Sequence, residues 1–276
     1  MFGRILPAAF ATALAVAALP SAAGAQSALG AERILDALRL DELLGIMAEE
    51  SRRHGADLDE TMLDGQGGAG WARIVEAIND PGNWEPKLRD AVAEGLEPGE
   101  SQAVLDFFSS PQGGRIVELE LSARRAMLED GVEEASLARV GELEAEGAPF
   151  LGQVDRFVEV NGLIDSNVAG ALNANIAFLD GLAEGAGGEG QGDPLADILS
   201  QEPEIRDSTT DWVYSFTTLA YAPLAPEELD AYIAFSESGA GQAFNAALFA
   251  AFDRMFVETS FATGKALGRM MLSEDL

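Results

Sequence analysis

The chain has 276 residues, with 17 basic against 47 acidic side chains for a formal net charge of −30, one histidine and no cysteine. Disulfides, thiol chemistry and zinc sites built from His and Cys are thereby excluded, and a polyanion of this size repels nucleic acid and anionic lipid headgroups. The acids are spread along the chain rather than clustered. They read as a solvated acidic surface that keeps the protein soluble, with a nonspecific attraction for cations as the rival explanation.

The first predicted element is a leader. Arg4 is its only charge, Ile5 to Leu19 is almost purely apolar, and Pro20 breaks the run before Ala23-Gly24-Ala25. A positive end, a short apolar stretch and small residues in A-x-A spacing predict a signal peptide over 1–25, cleaved near Ala25, and hence an exported protein. The apolar stretch is short for a bilayer span, and the chain beyond it holds no stretch that would make one.

Helix is predicted nearly throughout, because Ala, Leu, Glu and Met dominate and no alternating strand pattern persists. Residues 31–50 put Ile34, Leu35, Leu38, Leu43, Leu44 and Met47 on one broad face of a single helix. His54, in Arg52-Arg53-His54-Gly55, reads as a partner for the negative end of a helix. No G-x-S-x-G elbow accompanies it, so a Ser-His-Asp triad is not predicted. Asp57, Asp59, Glu60 and Asp64 hint at calcium but lack the glycine and closing glutamate of an EF-hand loop. Gly65, Gly67 and Gly70 match the dinucleotide fingerprint in spacing only. No strand precedes them, and a similar pattern recurs at Gly185, Gly187 and Gly190, so both read as flexible linkers. Residues 71–78 and 84–92 are helical pieces separated by the turn Asn79-Asp80-Pro81-Gly82.

The next segment repeats later in the chain. Leu96-Glu97-Pro98-Gly99-Glu100 matches Leu224-Ala225-Pro226-Glu227-Glu228 at an offset of 128, and the same offset sets Phe107 on Phe235, Ser110 on Ser238, Gly113 on Gly241 and Trp84 on Trp212. The two Gly-rich stretches match at 120, which places a small insertion near 191–203 of the second copy. Repetition on this scale predicts two tandem helical-bundle repeats packed together, over 26–147 and 148–276, after the cleaved signal peptide.

Physically, the repeated motif is a tight helix corner. Pro98 and Pro226 suit the first position of a helix, where a missing N–H costs nothing. Glu100 and Glu228 fall at the third position, facing the positive end of the helix dipole. Ser110 and Ser238 suit the N-cap of the next helix. Gly113 and Gly241 sit where a side chain would obstruct the preceding helix, at a propensity cost of about 1 kcal/mol against Ala.

These residues resemble a known family. Phe-x-x-Ser-x-x-Gly-Gln, here Phe235 to Gln242, preceded by the Leu-x-Pro-Glu-Glu helix start, is similar to the signature of the domain of unknown function 2059 family. The resemblance covers both halves and implies an exported, helical bacterial domain; it implies no reaction. The second copy matches better, since the first has Gly114 in place of Gln242 and Gly99 in place of Glu227.

The last predicted helix carries Phe244, Leu248, Phe249, Phe252, Met255, Phe256, Leu267, Met270 and Met271 at spacings of three and four. This stripe reads as core between the two copies. Its alternative use is a groove for a partner segment, with Phe249, Phe252, Met255 and Phe256 as the contacts. The sequence therefore predicts a periplasmic, non-catalytic module that binds an envelope component, protein or peptide by preference. No catalytic, metal or cofactor residue is predicted. The rival readings are a hydrolase that works with carboxylates alone and an acidic divalent-cation-binding protein.

Overall fold

The structure, a computed structural model, describes residues 22–188 and 198–274. It is all-α, with twelve helices and no strand among the described residues. In chain order these are α1 (Ala22–Ala37), α2 (Leu40–Met62), α3 (Gly68–Ile78), α4 (Pro81–Gly95), α5 (Pro98–Phe108), α6 (Pro111–Ala126), α7 (Val132–Glu146), α8 (Pro149–Val160), α9 (Leu163–Gly185), α10 (Glu202–Tyr221), α11 (Pro226–Glu237) and α12 (Gly239–Glu274). Among the described residues no helix is long and apolar enough to cross a membrane. The expected leader lies outside the described residues apart from its last few, which begin α1, and most of the expected insertion near 191–203 lies outside them too.

Local chemistry sets the helix boundaries. Five helices open on a proline at the first position, where its fixed φ is already helical. Asp80 caps α4 by accepting the Gly82 N–H at 2.8 Å. Asp59 does the same for α3, its two carboxylate oxygens taking the N–H groups of Gly67 and Gly68 at 2.7 and 3.2 Å. The acid that hinted at calcium is thus engaged as a cap, and no group of three metal-ligating side chains occurs among the described residues.

Three sequence expectations change. The single helix over 31–50 is two helices, because Arg39 adopts the left-handed conformation (φ 52, ψ 46). Leu35 and Leu40 are both buried at that turn, and their burial offsets the strain of about 1 kcal/mol or more for a non-glycine residue there. Gly162 makes the same left-handed turn between α8 and α9 (φ 58, ψ 34). His54 lies in the interior of α2, which runs on to Met62, so it faces no helix terminus. Gly55 ends nothing; a Cβ there would press into Val75, and its carbonyl accepts the Trp71 indole N–H at 2.6 Å. Gly185 is likewise no linker, since it ends α9 against the backbone of Lys265.

The cores cross between the halves. Phe244, Ala251 and Met255 of α12 pack into the core built by α1, α2, α4, α5 and α6. In return, Ile116 and Ala123 of α6 pack with Phe157, Ala220, Tyr221, Leu229 and Ile233 of α8, α10 and α11. At the offset of 128, Ile116 matches Phe244 and Ala123 matches Ala251. Helices from both sides of the Gly147-Ala148 junction thus share these two cores.

The most extensive helix pairing joins α9 to α12. It runs parallel: Asn173 bonds Asp253 at one end, and Glu184 pairs with Lys265 at the other. Gly181, Gly185, Gly264 and Gly268 line the contact, and a Cβ on any of them would overlap backbone of the facing helix.

Candidate functional site

The repeated corners meet each other. Phe107 and Phe235 stack with ring centroids 4.2 Å apart and planes 10° from parallel. In each corner the serine hydroxyl accepts the glycine N–H at 3.0 Å and donates to the phenylalanine carbonyl at 2.6 Å. A Cβ on Gly113 would overlap the Phe107 carbonyl, and one on Gly241 the Phe235 carbonyl. Pro98 and Pro226 open α5 and α11. The Glu100 carboxylate accepts the Glu97 N–H at 2.9 Å, and that of Glu228 accepts the Ala225 N–H at 2.8 Å. The corners are also cross-linked, because Gln112 donates to the Glu228 carbonyl at 2.7 Å and Arg115 pairs with its carboxylate at 3.2 Å. Gln242 donates to the carbonyls of Ser236 at 2.6 Å and Val160 at 3.0 Å. It ties the end of α8 to the corner, a bond Gly114 cannot make.

Beside this junction lies a chamber of about 330 Å³. Its two long walls are equivalent stretches of α6 and α12. Val117, Glu120, Leu121 and Arg124 of α6 line one, and Asn245, Leu248, Phe249 and Phe252 of α12 line the other; each pair is 128 apart. The ends are the two left-handed turns, with Leu38 and Leu40 on one side and Asn161 and Leu163 on the other. Trp212, Phe216 and Tyr221 of α10, with Tyr232 and Phe235 of α11, complete an aromatic wall. The volume falls within the range of small-molecule sites, about 300–1,000 Å³.

One acid breaks the apolar lining. Glu120 is half-buried, and its Oε1 accepts the hydroxyls of Tyr221 at 2.6 Å and Tyr232 at 3.1 Å. Burial pushes its carboxyl above the usual range, and the two tyrosine bonds only partly oppose this. Burial, with the Glu120 charge next, pushes both tyrosine hydroxyls well above theirs, so neither ionises near neutral pH. Arg124 is already committed: its guanidinium meets both oxygens of Glu50, at 2.9 and 2.8 Å, and lies 5.9 Å from the Trp212 ring centroid.

The expected partner contacts divide. Phe249 and Phe252 line the chamber. Met255 is 2% exposed and belongs to the core, out of reach of any ligand in this conformation. Phe256 is 39% exposed and borders a second cavity of about 250 Å³ beside His54 and Thr263. The stripe is thus partly core and partly chamber wall. Glu120, Tyr221 and Tyr232 were not singled out from the sequence. The signal was there: Glu120 interrupts the apolar face formed by Ile116, Val117 and Leu121, and its counterpart at 128 is Leu248.

No family model, curated protein or solved structure matches the chain.

Proposed function

We propose that this is an exported, non-catalytic binding module of the cell envelope, and that the chamber between α6 and α12 receives a small ligand with a largely apolar body. The chamber itself carries this reading: a ligand-sized volume with mostly aromatic and aliphatic walls and a few polar groups. Export is supported by the leader pattern and by the resemblance to the domain of unknown function 2059 family. The size of the chamber favours a small molecule or a single inserted side chain over a whole helix, whose diameter of about 10 Å would not fit. An envelope protein or peptide would therefore engage it through one apolar group. Hydrolysis by paired carboxylates has little support here, because Glu120 is the one acid among the lining residues and that chemistry needs two facing each other.

Titration with the neutral fluorophore N-phenyl-1-naphthylamine tests the proposal. Trp212 lines the chamber, whereas Trp71 and Trp84 are buried in the cores. Binding should enhance probe emission saturably and quench Trp212, with the Trp212→Phe protein losing the quenching component. Linear, unsaturable enhancement would refute the site.

A further inference from the structure

The charge inside the chamber is unbalanced. Among the described residues Glu120 is its only acid, and its one cation, Arg124, is held by Glu50. Both tyrosines use Oε1 of Glu120, so Oε2 has no hydrogen bond from the described residues. The chamber Glu120 lines also holds the rings of Trp212, Phe216, Tyr221, Tyr232, Phe249 and Phe252, and aromatic faces carry negative electrostatic potential and attract cations. The chain as a whole carries −30, which raises the local concentration of cations and repels anions.

Each alternative head group meets a physical objection. A fatty-acid carboxylate would face Glu120 with no free cation to receive it. A purely apolar ligand would bury Oε2 without a partner, which carries a desolvation penalty. A protonated amine or quaternary ammonium satisfies both the carboxylate and the rings. Resting on the reading of the chamber as a ligand site, we infer that its ligand is a lipophilic cation. The charge pairs with Glu120 and the apolar body lies against Phe249, Phe252 and Trp212. Glu120 then has a clear role: Leu248, the equivalent residue on the other wall, gives ordinary apolar lining, and the acid marks the place on the α6 wall where the charge sits.

The affinity should depend on pH in a fixed direction. Pairing needs the ionised carboxylate, and burial favours the neutral form, so cation affinity rises with pH through Glu120's elevated range. The groups facing Glu120 are Tyr221 from α10, Tyr232 from α11 and Arg124 on α6 itself, the last held by Glu50 of α2. The tyrosines are shifted upward, and the guanidinium stays charged throughout.

A matched set of three compounds tests this on the full chain, by displacement of N-phenyl-1-naphthylamine in 0.3 M salt to screen the overall charge. The amine 2-(1-naphthyl)ethylamine should bind at least tenfold more tightly than 2-(1-naphthyl)ethanol, and 1-naphthylacetate should not compete. Glu120→Gln should weaken the amine at least tenfold and leave the alcohol within twofold. Lowering the pH of the unmutated protein from 8 to 5 should weaken the amine alone, which covers the case in which the variant folds poorly. Equal affinity for amine and alcohol, with no effect of Glu120→Gln or pH, would overturn the cation inference while leaving the chamber reading intact. Failure of the naphthylamine probe itself to bind would overturn both.

Discussion

Residues 111–146 and 239–274 begin alike and end differently. Both open with a corner glycine packed onto the preceding helix, and both send matched side chains, Ile116 and Ala123 or Phe244 and Ala251, into the other half's core. The first stretch then breaks after Ala126, turns at Gly131 (φ 78) and folds back as α7 against α10. The second continues unbroken as the 36-residue α12. The difference follows from what each end meets. Beyond Met255, α12 runs beside α9 with glycines in the seam, whereas the equivalent first-half stretch holds Asp130-Gly131, a turn-forming pair. The chamber walls repeat the lesson on a smaller scale: one backbone plan presents Glu120 and Arg124 on one side and Leu248 and Phe252 on the other. Shared structure fixes where the chamber is, and the divergent side chains fix how it is lined.

If helices from both halves share these cores, neither half should stand alone. A 148–276 fragment lacks α6 and therefore exposes the faces of Ile233, Leu229 and Tyr221. It should show no cooperative unfolding as a monomer by circular dichroism and light scattering. A folded, monomeric fragment would contradict this sharing. The next largest effects belong to the corner glycines. Gly113→Leu and Gly241→Leu each force a side chain into backbone, and each should lose about 3 kcal/mol or more in urea unfolding. Comparable losses would mark the two corners as equivalent, and a tolerated substitution at either would separate them. Below these come the caps: Ser110→Ala and Ser238→Ala should each cost about 1 kcal/mol.

The smallest effect is the most informative about the walls. Glu120's folded pKa lies above its unfolded value of 4.5. The folded state therefore binds more protons, and stability falls as pH rises from that unfolded value to the raised one. Glu120→Gln removes the penalty while keeping an acceptor for the tyrosines. Its melting temperature should exceed the parent's at pH 8. The gap should close near pH 4. Conversely, a variant less stable than the parent at pH 8 would mean that Glu120 is a structural acid and not a functional one.

Much of the fold was legible in the sequence because it depends on residues that punctuate helices. Pro98, Ser110, Gly113 and their partners at 128 act within one turn of chain, so spacing alone reveals them. The break at Arg39 was not legible, since a single left-handed residue leaves apolar spacing intact on both sides and only the burial of Leu35 and Leu40 justifies it. The Gly181/Gly185 and Gly264/Gly268 seam went unread for a related reason. Each pair is visible at a spacing of four, but its meaning arises only when α9 lies beside α12. The chamber was half legible. Phe249 and Phe252 stood out by periodicity, whereas Glu120 passed as one acid among 47 acidic side chains, and its tyrosine partners are more than a hundred residues away.

Filling the space between α6 and α12 tests most directly whether it is the binding site. Leu248→Trp places an indole in the α12 wall of the chamber, outside the corner residues. The variant should keep the parent's circular dichroism and cooperative unfolding yet lose saturable N-phenyl-1-naphthylamine binding. Probe binding at the parent's affinity in the folded Leu248→Trp protein would contradict the account.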